Sequence, residues 1–212
     1  MTKGLFVVCE GLDATGKTTT IKKAMEYLPN TVYSKGLCTD TPVGRLAREQ
    51  RSTYAFSLEL LYVDKHIVRP SLAAQRVVLQ DRWYDTVYSH NFPNELDRIM
   101  EQTTVPHLTR PDVLVYFSAS LEERLKRIKE RGNRKTAETL DLLAYLTQDT
   151  GEKLRLLNEL EGFRHPMEMI EREARMMKRY KAFPGPRYIM DTTGRAVEDS
   201  ARELSTIVLA NM

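Results

Sequence analysis

Cysteine is scarce. Cys9 and Cys38 are the only two in 212 residues, too few for a disulfide framework, so the expected setting is reducing and cytoplasmic. Long apolar runs are missing too. Leu5 to Cys9, preceded by Lys3, stops at Glu10. That is too short for the core of a signal sequence, and nothing approaches the roughly 18 apolar residues of a membrane span. Neither sign of charge dominates: 32 Lys and Arg against 29 Asp and Glu leave a net charge of +3. This balance suits a small anionic ligand and does not call for nucleic acid. Aromatic residues make up only 8% of the chain and are not interleaved with its basic run, Arg124 to Lys135, as stacking on single strands requires. His66, His90, His107 and His165 share no ligand spacing, which argues against zinc. Repeats and low-complexity tracts are also absent. What is left, with 42% hydrophobic and 29% charged residues, is an ordinary globular composition, long enough for one domain over residues 1–212.

The apolar pattern alternates strand and helix. Leu5 to Cys9 reads as a strand buried on both faces, and Thr18 to Leu28 as a helix carrying Ile21, Ala24, Met25 and Leu28 on one side. Thr31 to Tyr33 is a second strand, leading into a loop with Gly36, Pro42 and Gly44. Tyr54 to Ile67 is helical, with Leu58, Leu61 and Tyr62 at core spacing, and Pro70 opens a turn. Arg76 to Gln80 and Asp112 to Phe117 are the third and fourth strands, Arg187 to Met190 the fifth. Ser120 and Glu123 form a capping box for a helix to about Arg131. Val197, Ala201, Leu204, Ile207 and Val208 stripe a final helix. The expected fold is therefore α/β: a three-layer sandwich around a five-stranded parallel sheet. Residues 133–181 carry little strand signal; Leu and Met residues from Leu140 to Met177 suggest two or three helices broken at Gly151 and Pro166. They form either an enlarged helical lid or an inserted hairpin.

Gly11-Leu12-Asp13-Ala14-Thr15-Gly16-Lys17-Thr18, followed by Thr19, satisfies G-x-x-x-x-G-K-[ST] between a buried strand and a helix. Gly11 and Gly16 let backbone N–H groups converge on phosphate oxygens, and the helix N-terminus adds its dipole. Lys17 is placed to reach the β- and γ-phosphates, and the Thr18 hydroxyl to ligate Mg²⁺. Asp81 and Arg82 end the third strand at the sheet edge where open α/β folds bind ligands. Asp81 is the second candidate metal ligand, and Arg82 a bidentate phosphate clamp. After the second strand the chain offers Lys35, and no acid until Asp40. An ionised phosphate acceptor needs no general base, whereas a nucleoside hydroxyl usually wants one, so Lys35 favours a monophosphate acceptor. Along Arg124 to Lys135 the earlier cations lie on a helix and read as a solvated face. Arg131 and Arg134 flank the hinge-like Gly132-Asn133 and are the candidates for neutralising the transferring group.

Several segments, in order, resemble thymidylate kinases: Phe6 to Asp13 with Gly16-Lys17-Thr18-Thr19, Thr41-Pro42-Val43-Gly44, Arg69-Pro70 with Leu72-Ala73, Val78 to Trp83, and Arg110 to Phe117. The similarity resumes at Met190-Asp191-Thr192-Thr193. It implies a P-loop nucleotide kinase fold, ATP and Mg²⁺ as cofactors, dTMP as acceptor and commonly a homodimer. Carried over by position, Asp13 touches the deoxyribose 3′-hydroxyl, Arg82 bridges the two phosphoryl partners, and Thr193 and Arg195 lie near adenine. Lys65 falls where the family has an Arg that reads thymine, Leu61 where a ring stacks on the base, and His90-Asn91 where Tyr-Gln is frequent. Lys35 stands in for the phosphate-binding Arg of an Arg-Glu-Pro loop.

Three other readings remain beside it. A nucleoside kinase, or a kinase for another (deoxy)nucleoside monophosphate, shares the cradle. A GTP-driven switch would use Asp191-Thr192-Thr193-Gly194 as D-x-x-G, but those residues follow the last strand and no N-K-x-D is present.

Overall fold

The computed structural model describes residues 4–90, 94–130 and 166–212. Five parallel strands, β1 (Leu5–Glu10), β2 (Thr31–Lys35), β3 (Val77–Asp81), β4 (Val113–Ser118) and β5 (Arg187–Asp191), form one sheet in the order β2-β3-β1-β4-β5. Every residue of β1 is buried, because the sheet is covered on both sides. Leu5, Val7 and Cys9 face one core with Ile21 and Ala24 of α1 (Lys17–Ala24) and Leu204 and Val208 of the C-terminal helix. Phe6 and Val8 face the other, with Leu60, Val63, Trp83 and Tyr180. The period-two alternation thus feeds two cores. The register sets Cys9 opposite Asp81, and Lys35 opposite Asp81. The carboxyl ends of three strands therefore stand level at one edge.

The helical layers depart from the pattern read in the sequence. Pro42 and Gly44 do not lie in a loop; they open α2 (Pro42–Gln50), where the Thr41 side chain accepts from Gly44 N at 3.0 Å and Pro42 takes a first-turn position needing no N–H. α3 (Thr53–Val63) passes through a π-helical turn, Asp64–Val68, into α4 (Arg69–Ala73), so Pro70 sits inside a helical run. The inward face of α3 carries Ser57, Glu59, Leu60 and Val63, while Leu58 is exposed and Leu61 and Tyr62 only half-buried. Between β3 and β4 the chain forms α5 (Tyr84–His90) and α6 (Glu95–Thr104), which the apolar spacing does not mark. The Ser120 capping box is present, with Glu123 N donating to Ser120 Oγ at 3.2 Å at the start of α7 (Leu121–Glu130). Of the 133–181 region, the described part is α8 (Pro166–Ala182), which Pro166 begins; Leu140, Gly151 and the rest of the expected helices lie outside the described residues. The chain closes with α9 (Val197–Ala210), whose Ala201, Leu204, Ile207 and Val208 are buried and whose Val197 is exposed. No described helix is long and apolar enough to cross a membrane.

Candidate active site

The loop Gly11–Gly16 is bent by backbone that few side chains accept. Gly11 has φ 133° and an added Cβ there would stand 2.2 Å from the Phe117 carbonyl oxygen; Gly16 has φ 81°. Lys17 is buried beneath the loop, its Nζ donating to the carbonyls of Gly11 (2.8 Å) and Leu12 (2.7 Å). Burial, and then the neighbouring Arg82 charge, lower its pKa to about 7. The Thr18 hydroxyl donates to Asp81 Oδ2, and the Tyr33 hydroxyl reaches the same oxygen at 3.3 Å. A hydroxyl and a carboxylate thus converge beside the cradle. Among the described residues no group of three or more His, Cys, Asp or Glu is available to cage an ion. An oxygen-rich but incomplete donor set suits Mg²⁺, which keeps waters and substrate phosphates in its shell.

Arg82 stands in the left-handed region with φ 71°, a conformation costing about 1–2 kcal/mol for a side-chain-bearing residue. It is held there by Arg82 N donating to Cys9 O (3.0 Å) and Gln80 Nε2 to Arg82 O (3.1 Å). The turn aims the guanidinium across the loop: Nη2 donates to Asp13 Oδ1 at 2.5 Å and Nη1 to Gly11 O at 3.2 Å. Desolvation works to raise the Asp13 pKa, but Arg82, Lys17, Arg172 and Arg124 outweigh it and hold the carboxyl at about 2.

Three cavities meet here. One of about 220 Å³ is lined by loop residues 13–18 with Lys35, Asp81 and Arg82. A second, of about 410 Å³, shares Asp13, Lys35 and Arg82 with it and opens between Leu37, Arg48, Phe56 and Val87. A third, of about 320 Å³, shares Gly16 and runs past Thr19, Arg127, Thr192 and Arg195. The arrangement offers two organic pockets separated by one anion cradle. Leu12, Ala14 and Thr15 shape the loop between them, with Thr15 Oγ1 donating to Leu12 O at 2.9 Å.

The sequence-assigned residues do not all gather. Asp13, Lys17, Thr18, Lys35, Asp81 and Arg82 do, and Thr19 and Arg195 line the third cavity. Thr193 is occupied in its own turn, accepting from Ser120 N (2.8 Å) and donating to Asp191 Oδ1 (2.7 Å). Leu61 packs half-buried against the core and Lys65 is exposed on the π-helical turn; neither lines the 410 Å³ cavity. Phe56, Arg48 and Arg51 stand there instead. His90 ends α5, with its side chain outside the described residues, and so are Arg131 and Arg134. The solvated-face reading of α7 fails for two cations: Arg124 Nε donates to Asp13 O (3.0 Å) and Arg127 Nη1 to Ala14 O (3.3 Å), buttressing the loop from behind. Recognising Thr41-Pro42 as a helix start would have put Arg48 and Arg51 on α2 and at its end; Phe56, Thr86 and the buried Arg172, which line the same cavity, carried no such signal.

A sequence model of the thymidylate kinase family matches residues 9–159. Thymidylate kinase from Synechococcus sp. (strain CC9605) is 30% identical over 172 residues, covering 68% of this chain and 82% of that one. Probable thymidylate kinase from Pyrococcus horikoshii is 28% identical over 148 residues, covering 61% and 72%. Among solved structures, thymidylate kinase from Candida albicans superposes with a TM-score of 0.67 at 16% identity, covering 99% of this chain and 92% of that one. The enzyme from Ehrlichia chaffeensis gives 0.62 at 14%, covering 98% and 99%. At such identities these two structures speak to the fold.

Proposed function

We infer that this chain, which belongs to the thymidylate kinase family, transfers the γ-phosphoryl group of ATP to dTMP, giving dTDP. The observation that carries the reading is the shared wall of Asp13, Lys35 and Arg82 between the phosphate cradle and the 410 Å³ cavity. An acceptor phosphate held by Lys35 and Arg82 lies next to the donor's outermost group. Lys17 neutralises the donor phosphates, and Arg82 faces both partners as charge moves between them. A carboxyl held at about 2 in an ion pair is a poor proton acceptor, so the site suits an acceptor that arrives ionised rather than a nucleoside hydroxyl. Phe56 supplies a ring for a planar base, and Asp13 an acceptor for a sugar hydroxyl. Thr18 and Asp81 would hold Mg²⁺, which when bound neutralises charge on the β- and γ-phosphates.

Arg131 and Arg134 complete the charge neutralisation in this reading, and residues 1–212 act as a single kinase domain. The enzyme works as a homodimer in the cytosol; the two unpaired cysteines fit a reducing compartment.

The test is a panel of nucleoside monophosphates and nucleosides with ATP and magnesium, followed by ADP release. Turnover with dTMP and not with thymidine is expected; turnover with the nucleoside alone would overturn the acceptor. Arg82→Ala should lower kcat by about 100-fold or more while circular dichroism and melting stay native. A near-normal kcat would remove Arg82 from its role.

A further inference from the structure

Glu10 is the last residue of β1, 2% exposed, and it lines none of the three cavities. Among the described residues its hydrogen bonds go to the start of α5. Oε1 accepts from Trp83 N at 2.8 Å and from Thr86 N at 3.2 Å, and Oε2 accepts from the Thr86 hydroxyl. A hydroxyl has one hydrogen. Because Thr86 gives it to Glu10, its lone pairs are left to face Arg82, whose Nη1 donates to Thr86 Oγ1 at 3.3 Å. The other acceptors of the Arg82 guanidinium, Gly11 O and Asp13 Oδ1, belong to the phosphate loop. Among the described residues Thr86 is therefore its side-chain link outside the loop, and Glu10 sets the direction of that link.

We propose that Glu10 and Thr86 are positioning residues for Arg82: the carboxylate orients the Thr86 hydroxyl, and the hydroxyl fixes the guanidinium between donor and acceptor phosphates. The proposal rests on the kinase reading given above. A carboxylate that served only to cap α5 would need just the two backbone N–H groups, and the hydroxyl would be idle. The two roles separate in Thr86→Val, which keeps the shape and both backbone bonds but removes the link. They separate again in Glu10→Gln, whose amide nitrogen would donate to Thr86 Oγ1 and compete with Arg82 for its lone pairs.

The experiment measures kcat, KM for each substrate, melting temperature and the Arg82 Nε–H signal in the nitrogen NMR spectrum for the full chain and the variants Thr86→Val, Thr86→Ser and Glu10→Gln. Thr86→Val and Glu10→Gln should each lower kcat by about ten-fold, with KM for ATP within about two-fold and melting close to wild type. Thr86→Ser should restore kcat. The Arg82 signal should be sharp in the wild type and Thr86→Ser, and broadened in the other two. Wild-type kcat in Thr86→Val, or Thr86→Ser as slow as Thr86→Val, would overturn the proposal. If Glu10→Gln does not fold, the Thr86 pair carries the same test. If the wild type does not phosphorylate dTMP, the functional reading fails alone; an Arg82 signal equally sharp in Thr86→Val then overturns the positioning role independently.

Discussion

Two residues at the cradle carry consequences that a contact map alone would not give. Lys17, pushed down to about 7 by burial and by Arg82, is mostly neutral in the free protein at pH 8. A bound polyphosphate favours the charged ammonium and raises that pKa, so ATP binding at pH 8 should take up close to one proton, and far less at pH 6. Calorimetric titrations in two buffers of different ionisation enthalpy read this directly; equal heats at pH 8 would exclude it. Gly36 follows β2, and a Cβ there would stand 1.9 Å from the Arg82 carbonyl oxygen, a backbone atom that cannot swing away. Gly36→Ala should therefore cost about 1–3 kcal/mol of stability and a larger share of kcat, because the displaced residue is Arg82 itself. Denaturant unfolding and steady-state kinetics check the pair, and an unchanged kcat would show that the loop yields elsewhere.

At the level of elements, a buried carboxyl stitches α5 to its neighbours. Asp85 on α5 faces Arg179 of α8 at 3.6 Å, and Arg179 also bonds Glu101 of α6 at 2.5 Å. Burial first, and the Glu10 charge next, push the Asp85 pKa up to about 7. Since the unfolded carboxyl titrates near 4, the folded chain holds an extra proton between those values, and stability falls as pH rises through that window. Asp85→Asn should consequently raise the melting temperature at pH 8 by roughly 5 °C and change it little at pH 4.5. A gain of the same size at both pH values would rule out titration as the cause. The same elements show why some of the fold was legible and some was not. β1 and α9, Val197 apart, announce themselves because their apolar residues point where the pattern says they should, and the cradle through its glycine-lysine spacing. α3 misleads because Ser57 and Glu59 face inward on real partners: Ser57 Oγ meets Tyr88 Oη at 2.8 Å, and Glu59 accepts from Cys38 N and Thr39 N at 3.0 and 2.7 Å. With polar groups inside, Leu58 is displaced outward and the apparent core face rotates. Leu61 takes the base-stacking position from the family resemblance alone, and it is Phe56, earlier on the same helix, that lines the cavity. α2 was hidden by Pro42 and Gly44, both read as loop residues although one is pre-organised for a helix start. The charged clamp of Arg124 and Arg127 on the loop needed tertiary structure, since nothing local distinguishes a cation that meets a distant carbonyl from one in water.

For the whole molecule, the outward turn of α3 leaves apolar surface that the described chain does not cover. Tyr54 and Leu58 on α3 are 54% and 37% exposed, Leu46 on neighbouring α2 is 42%, and Leu96 and Ile99 on α6 are 63% and 48%. α3 packs beside both of the other helices, so these residues lie on adjoining elements, whereas single exposed apolar residues elsewhere need no explanation. A second copy of the chain would bury them about a twofold axis, each protomer presenting the same patch. The cost of leaving the patch wet is set by its area, at about 25 cal/mol per Å². A charge placed within it would be desolvated twice in a symmetric pair, once from each protomer. Sedimentation of the wild type should give twice the 24.5 kDa chain mass, and Leu58→Glu should shift it to the monomer while the fold and the cradle, which Leu58 does not line, persist. A wild-type monomer at micromolar concentration, or a Leu58→Glu protein that stays paired, would mean that the outward Tyr54 and Leu58 of α3 are merely what its polar inner face displaced.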